Sequence, residues 1–337
     1  MRSLRILQPS QMELSEVEEP KLLENHAKVK MEYCGICGSD LTAYTGKNPT
    51  VRYPIEGIGH EGVGVITEIG ENDRNLKVGD YVALEPYIPC LKCHSCAEER
   101  YNNCTDIRVA GVHTDGMMSD YVVFPIHLLH KFPDNLSPLE ASLIEPLTIG
   151  LHAMTRARVS EGEYCVITGA GPIGLLAALG VKSKGATPIL IDIVDDRLKL
   201  AQECGIEHVF NSTSGDVPEY LHKVTGNLPH AMIECTGSPA ILEIMHDYVR
   251  NGGRIALVGW PKGPVTINTI RCIQKELDIL PSRNSNKQFP IAASLIAEGK
   301  IPVDKIITKV VNVEDAEAVI LDMIANNKNY MKVVVKM

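Results

Sequence analysis

Basic residues are in short supply in this chain. Lys and Arg number 33 against 42 Asp and Glu, giving a formal net charge of −9 and a sequence pI near 5.7. Nucleic acid and anionic membrane surfaces both call for a basic patch, so neither is an expected partner. The first twenty residues, MRSLRILQPSQMELSEVEEP, lack the apolar core of roughly 7–15 residues that a secretory signal uses. Long uncharged runs are almost missing as well. The one of note, YCVITGAGPIGLLAALGV, spans eighteen residues from Tyr164 and carries four glycines and a proline, which argues against a membrane span. No internal repeat or low-complexity tract interrupts the 337 residues. The expectation is a cytoplasmic protein of two domains, each large enough to bury a core.

Cysteines are present in number, and four crowd into the fifteen-residue stretch CLKCHSCAEERYNNC. Cytoplasmic thiols stay reduced, so such a cluster favours metal over disulfides. Cys90, Cys93, Cys96 and Cys104 follow a C-x2-C-x2-C-x7-C spacing, which lets a chain wrap one ion. Four thiolates at about 2.3 Å satisfy tetrahedral zinc and leave no open position, so the expected site is structural. An iron–sulfur cluster or a redox dithiol accounts less well for a fourth cysteine seven residues on, in the charged loop AEERYNN. Cys34, Cys165, Cys204, Cys235 and Cys272 fit no ligand spacing and read as small core residues. The chemistry must lie elsewhere.

Two styles of sequence alternate along the chain. Residues 1–146 are rich in Gly and Pro with short β-type runs such as HAKVKMEYC and EGVGVITEIG, which predicts a mostly β domain with site-bearing loops. Residues 147–280 alternate strand and helix, with strands expected at YCVIT, PILID, EHVF, AMIEC, RIALVG and LDILP. That pattern is a doubly wound parallel sheet inserted into the first domain. Residues 281–337 then form a C-terminal return, closing on the strand KVVVKM.

Three segments hold candidate donors for a second, open metal site: Cys37 in CGICGSDL, His60 and Glu61 in GIGHEGVGV, and Glu145 in LIEPL. A catalytic zinc keeps three protein ligands and one exchangeable position. Cys37 and His60 supply two, and either Glu61 or Glu145 the third, with the other close by. The turn VITGAGPIG places Gly169, Gly171 and Gly174 in a G-x-G-x-x-G pattern between a strand and a helix, and Asp192 ends the next strand eighteen residues later. Glycines there let the backbone approach a pyrophosphate at the helix N-terminus, and Asp192 accepts from the adenosine ribose. Ile193 and Val194 follow it, so NAD is preferred over NADP, and Arg197 is the nearby basic residue.

These residues match a family. GICGSD, GHEGVG, VGDYVALEP, the four-cysteine lobe, IEPL, GAGPIG, IECTG and ALVG together resemble the zinc-dependent medium-chain alcohol and polyol dehydrogenases over essentially the whole length. The resemblance implies an α/β fold: a GroES-like mostly β catalytic domain with an inserted Rossmann domain. It also implies NAD, two zinc ions per chain (one catalytic, one structural), and further cofactor contacts at Pro172, Ile173, Thr236, Val258 and Gly259. Glu145 stands where other alcohol dehydrogenases carry a cysteine ligand, which is similar to the sorbitol dehydrogenase branch. GVHTDGMMSDYVV and PSRNSNKQF are similar to bacterial L-galactonate and L-gulonate 5-dehydrogenases and to the starvation-sensing dehydrogenase group.

The implied reaction is hydride transfer from a secondary alcohol of a sugar acid to NAD, with Ser39 accepting the hydroxyl proton. Relatives with SDxH pass that proton on through a histidine, whereas this chain has Thr42 at that place. His113, Arg283 and Asn284 are the candidates for holding a hexonate. A neutral polyol, a vicinal diol or threonine are alternative substrates, and a non-catalytic nucleotide-binding regulator is the alternative from another class. The family implies a homodimer or homotetramer.

Overall fold

The computed structural model describes all residues, Met1–Met337. The chain divides into two compact units. Unit one takes Met1–Glu145, Phe289–Glu298 and Ile306–Met337, and unit two takes Pro146–Gln288 and Gly299–Lys305.

Unit one is built on a seven-stranded sheet. Its path runs Ile307–Asn312, Lys332–Lys336, His26–Ile36, Glu61–Ile69, Tyr81–Leu84, Leu129–Lys131, with Tyr121–Pro125 also pairing His26–Ile36. The strand His26–Ile36 is buried on both faces over much of its length. It is therefore the spine of the unit, pairing with three neighbours. Val29, Met31, Ile66, Val82, Val333 and Val335 lie in one buried cluster beneath the sheet. Each such side chain, removed from water, contributes about 1.5–3 kcal/mol. The pairing register sets up the site: Gly35 lies opposite Glu61, and Ile36 opposite Val333, next to Lys332. Three strand ends thus meet at one end of the sheet's central strands.

Unit two is a six-stranded, wholly parallel sheet in the order His208–Asn211, Thr187–Asp192, Tyr164–Thr168, Ala231–Glu234, Arg254–Leu257, Asp278–Pro281. All six strands expected from the sequence form, and their order is that of a doubly wound nucleotide-binding sheet. The eighteen-residue uncharged run is the strand Tyr164–Thr168, a turn, and the helix Pro172–Ser183, whose residues Gly174–Val181 are buried. No helix is long and apolar enough to cross a membrane.

The return to unit one begins later than residue 281. Ser282 still donates its N–H to Leu257 at 2.8 Å, continuing the edge strand Asp278–Pro281, and Ser285 is fully buried. Phe289 is the first residue of the return; its ring is fully buried and stacks on His130 with centroids 4.7 Å apart. The segment Gly299–Lys305 then goes back to unit two, where the Lys305 ammonium donates to the Glu203 carbonyl. The first boundary falls between Glu145 and Pro146.

Candidate active site

Cys37 follows directly on the strand His26–Ile36 and sits at the N-cap of the short helix Gly38–Tyr44. His60 immediately precedes the strand Glu61–Ile69. Because those two strands pair, the cysteine, the imidazole and the Glu61 carboxylate converge, and one donor atom from each lies within 4.8 Å of the others. His60 and Glu61 are buried and Cys37 partly so. A soft thiolate, an imidazole and a carboxylate form a donor set suited to zinc that leaves room for an exchangeable position.

Asp40 ties two of these groups together. Its Oδ2 accepts the Cys37 backbone N–H at 2.8 Å, and its Oδ1 faces His60 Nδ1 at 3.6 Å, a charge contact just beyond hydrogen-bond length. Nδ1 turned to a carboxylate leaves Nε2 as the ligand nitrogen, the arrangement that orients metal-bound histidines. Burial opposes a charge on His60, but Asp40 and the Cys37 sulfur outweigh it and raise the imidazole well above its ordinary value. A field that holds a proton there also favours a divalent cation.

The two candidate carboxylates are placed differently. Glu61 accepts the Lys332 ammonium on both oxygens, at 2.6 and 2.7 Å, and the same ammonium reaches the Ile36 carbonyl at 3.3 Å. Glu61 lies across Gly35, where a Cβ would stand 2.0 Å from Glu61 Oε2; only glycine fits opposite it. Glu145 lies outside the three-donor group, and its Oε1 accepts the Tyr87 hydroxyl in a very short hydrogen bond. Burial lifts the Glu145 carboxyl to about 7, with His60 pulling it down and Glu61 pushing it further up. Burial and Glu145 raise the Tyr87 phenol well above its ordinary value, so the phenol is the donor.

The Ser39 Oγ is buried and makes no hydrogen bond within the chain. Thr42 is committed elsewhere, its hydroxyl donating to the Ser39 carbonyl at 2.9 Å. It therefore does not replace the relay histidine that the sequence comparison finds missing. His113 sits in a tight turn of unit one, its Nδ1 accepting the Val109 N–H at 3.0 Å. Arg283 is exposed in unit two beside Asn284, whose φ of +52° lies in the left-handed region.

The four lobe cysteines converge as their spacing predicts, with all four sulfurs within 4.8 Å of one another. The N–H groups of Thr105 and Cys96 hold the Cys93 thiol down to about 5. Cys96, whose sulfur is 3.5 Å away, moves the opposite way to about 12, through burial and then the neighbouring thiols. Four ionised sulfurs this close repel one another, and a cation among them relieves that repulsion. The donors fit zinc.

In unit two, the glycine turn divides its labour. Gly169 has φ +90°, and a Cβ on Gly174 would stand 1.7 Å from the Gly169 carbonyl oxygen. Gly171, the helix N-cap, faces open space, so a pyrophosphate has room to approach its backbone. Pro172 and Ile173 open the helix behind it. Asp192 is buried; Oδ2 accepts Ala170 N–H at 2.5 Å, and Oδ1 accepts Ile193 and Val194 N–H at 2.7 and 2.9 Å. Arg197 Nε is buried without a partner. Thr236 follows the strand Ala231–Glu234, and the N–H groups of Val258 and Gly259 both bond the Glu234 carbonyl. Sequence reasoning missed Gly35, Asp40, Tyr87 and Lys332. Asp40 alone carries a local signal, as the third residue after a helix N-cap.

A buried thiolate–imidazole–carboxylate set in one unit and a dinucleotide-type turn in the other define a metal- and nucleotide-dependent oxidoreductase. Residues 24–134 match the alcohol dehydrogenase GroES-like domain, and residues 172–298 match the zinc-binding dehydrogenase domain. The chain is 40% identical over 336 residues to an uncharacterized zinc-type alcohol dehydrogenase-like protein of Haemophilus influenzae, covering 99% of this chain and 98% of that one. It is 34% identical over 310 residues to L-galactonate-5-dehydrogenase of Escherichia coli K12, covering 91% of each. The crystal structure of the alcohol dehydrogenase RspB from E. coli CFT073, complexed with NADH, matches with a TM-score of 0.94 at 31% identity, over 100% of this chain and 99% of that one. The chain belongs to the zinc-binding alcohol dehydrogenase family, on the branch of polyol and sugar-acid dehydrogenases.

Proposed function

We propose that the chain oxidises a secondary alcohol of a sugar acid, a hexonate such as L-gulonate, L-galactonate or L-idonate, to the keto-hexonate with NAD as acceptor. The observation that carries this reading is the meeting of Cys37, His60 and Glu61 within 4.8 Å in a zinc-binding dehydrogenase. When bound, zinc supplies Lewis acidity to the substrate hydroxyl and the nicotinamide supplies a hydride acceptor. Cys37 and His60 hold the ion with one carboxylate, Glu61 or Glu145, and Asp40 fixes the imidazole. Ser39 Oγ, a buried hydroxyl with no partner in the chain, accepts the substrate proton. Gly169, Gly171 and Gly174 with Asp192 and Arg197 receive the dinucleotide, and the lobe cysteines hold the second zinc.

The hexonate preference is supported by the similarity to L-galactonate-5-dehydrogenase. A neutral polyol is the second reading, favoured by the glutamate at position 145. A rate panel with NAD separates them: L-gulonate, L-galactonate and L-idonate are expected to exceed hexitols, butanediol and threonine by at least about tenfold in kcat/KM, about 1.4 kcal/mol of transition-state preference. Faster turnover of an uncharged hexitol sinks the sugar-acid assignment and keeps the zinc dehydrogenase.

We further propose a cytoplasmic homo-oligomer formed through unit two. All ten cysteines are unpaired, as a reducing compartment requires. The strand Asp278–Pro281 ends the six-stranded sheet with one side unpaired, and Trp260, Ile270 and Ile273 are 81%, 68% and 78% exposed. Such an edge and apolar face suit a second copy about a two-fold axis. Light scattering is expected to give at least a dimer for the native chain and a monomer for Ile273→Lys; a native monomer removes the proposal.

A further inference from the structure

The carboxylate of Glu234 has no part in the residues assigned so far, yet it is fully buried in unit two. It ends the strand Ala231–Glu234, which pairs with Tyr164–Thr168. That pair is where the strand order of the sheet reverses: strands to one side follow the first in sequence, and strands to the other side continue from the fourth. In open parallel sheets the ligand crevice lies outside the carboxyl ends of the strands at this point.

Every donor to the carboxylate lies at the carboxyl end of one of these two strands or in the turn that follows it. Oε1 accepts the Thr236 N–H at 2.7 Å, the Thr236 hydroxyl in a very short bond, the Gly237 N–H at 3.2 Å and the Thr168 hydroxyl at 3.4 Å. Oε2 accepts the Gly237 N–H at 3.0 Å. The Glu234 carbonyl takes the N–H groups of Val258 and Gly259 at 2.9 and 3.0 Å. One residue therefore ties together the end of the first strand beside Gly169, the Thr236–Gly237 turn and the Val258–Gly259 turn. The fit is close: a Cβ on Gly169 would meet the Thr236 methyl at 2.9 Å, and one on Gly259 would meet the Gly237 nitrogen at 2.0 Å.

All these donors are neutral. A buried carboxylate satisfied only by N–H and hydroxyl groups costs desolvation without a compensating cation, so it is an expensive way merely to close a loop. What it gives is geometry, because an ionised acceptor shortens and strengthens each bond it takes. We propose that Glu234 is a positioning residue for the dinucleotide, holding three loops in their binding arrangement before the cofactor arrives. This rests on the nucleotide reading above. Pre-ordered loops cost less to immobilise on binding, so the benefit is read in affinity.

The test is NADH affinity by nicotinamide fluorescence on the full zinc-loaded protein. Glu234→Gln keeps size but turns an NH2 group towards one set of donors, and is expected to raise the Kd for NADH at least tenfold. The KM for NAD rises alike, while kcat at saturating NAD changes less than threefold. Thr236→Val, which deletes the hydroxyl donor, also weakens binding, and Thr236→Ser restores it. Glu163→Gln is the control for stability alone, since it breaks the ion pair with Arg254 at the opposite, amino-terminal ends of the strands Tyr164–Thr168 and Arg254–Leu257 and leaves the Kd unchanged. A Kd within twofold of native for both Glu234→Gln and Thr236→Val overturns the inference while native binding upholds the nucleotide reading. Native protein that binds no NADH overturns both. If Glu234→Gln does not fold, the Thr236 pair decides.

Discussion

His60→Ala is expected to lower turnover at least about 10³-fold and to leave one zinc per chain where the native protein carries two. The imidazole is one of three convergent donors, and its loss leaves Cys37 and a carboxylate, too few to hold an ion against solvent. Asp40 then loses the group it faces at 3.6 Å, but its Oδ2 still anchors the Cys37 N–H, so the helix Gly38–Tyr44 should survive. NADH is proposed to bind through residues of unit two, so its affinity is expected to stay within about twofold of native, less than 0.5 kcal/mol. That separation distinguishes loss of the metal centre from loss of the fold. Near-native rates, or two zincs retained, overturn the assignment. The same zinc count settles the third ligand: of Glu61→Gln and Glu145→Gln, the one that releases the ion identifies it.

The legibility of this chain in its sequence follows the range of the interactions. The nucleotide unit is written locally: short apolar runs specify buried parallel strands, and three glycines with Asp192 specify a turn whose contacts lie within one strand–helix–strand unit. The cysteine lobe is local too, with four ligands in fifteen residues. The catalytic donors come from distant segments, and only strand pairing brings Gly35 and Ile36 beside Glu61 and Val333. The glycine-rich segments around Cys37, His60, Glu61 and Glu145 mark them as candidate donors but leave open which carboxylate completes the set. Nothing in MKVVVKM says that its first lysine is buried against a glutamate 271 residues away. Tyr87 was hidden likewise, since a tyrosine between prolines reads as surface. The polar, loop-like SRNSNKQ reads as the start of the return at 281, whereas the return begins at Phe289, since Ser282 and Ser285 are buried within unit two. Glu234 reads from the sequence as the end of an apolar strand, because its partners Thr236 and Gly237 and the Val258–Gly259 turn are recognisable only once folded.

Lys332→Met is expected to destabilise unit one by about 3–5 kcal/mol, the cost of breaking a buried ion pair from one side. Lys332 and Glu61 are 3% and 1% exposed, and the ammonium bridges both carboxylate oxygens and the Ile36 carbonyl. Burial pulls the Lys332 ammonium down, but the charges of Glu61 and Cys37 outweigh it and raise it above its ordinary value, so it is a cation within the fold. Methionine fills similar space without charge, leaving the Glu61 carboxylate buried without its cation. A buried carboxylate left unpaired beside Cys37 and His60 is expected to lower turnover as well. Hydrogen exchange over His26–Cys37 with urea unfolding measures the loss, and the double variant Lys332→Met/Glu61→Gln is expected to recover at least about half of it through a coupling term of 0.5–3 kcal/mol. A single variant within about 1 kcal/mol of native, below the range for a broken buried pair, means that the lysine is not what holds Glu61 in place. The carboxylate would then be held by the ion alone.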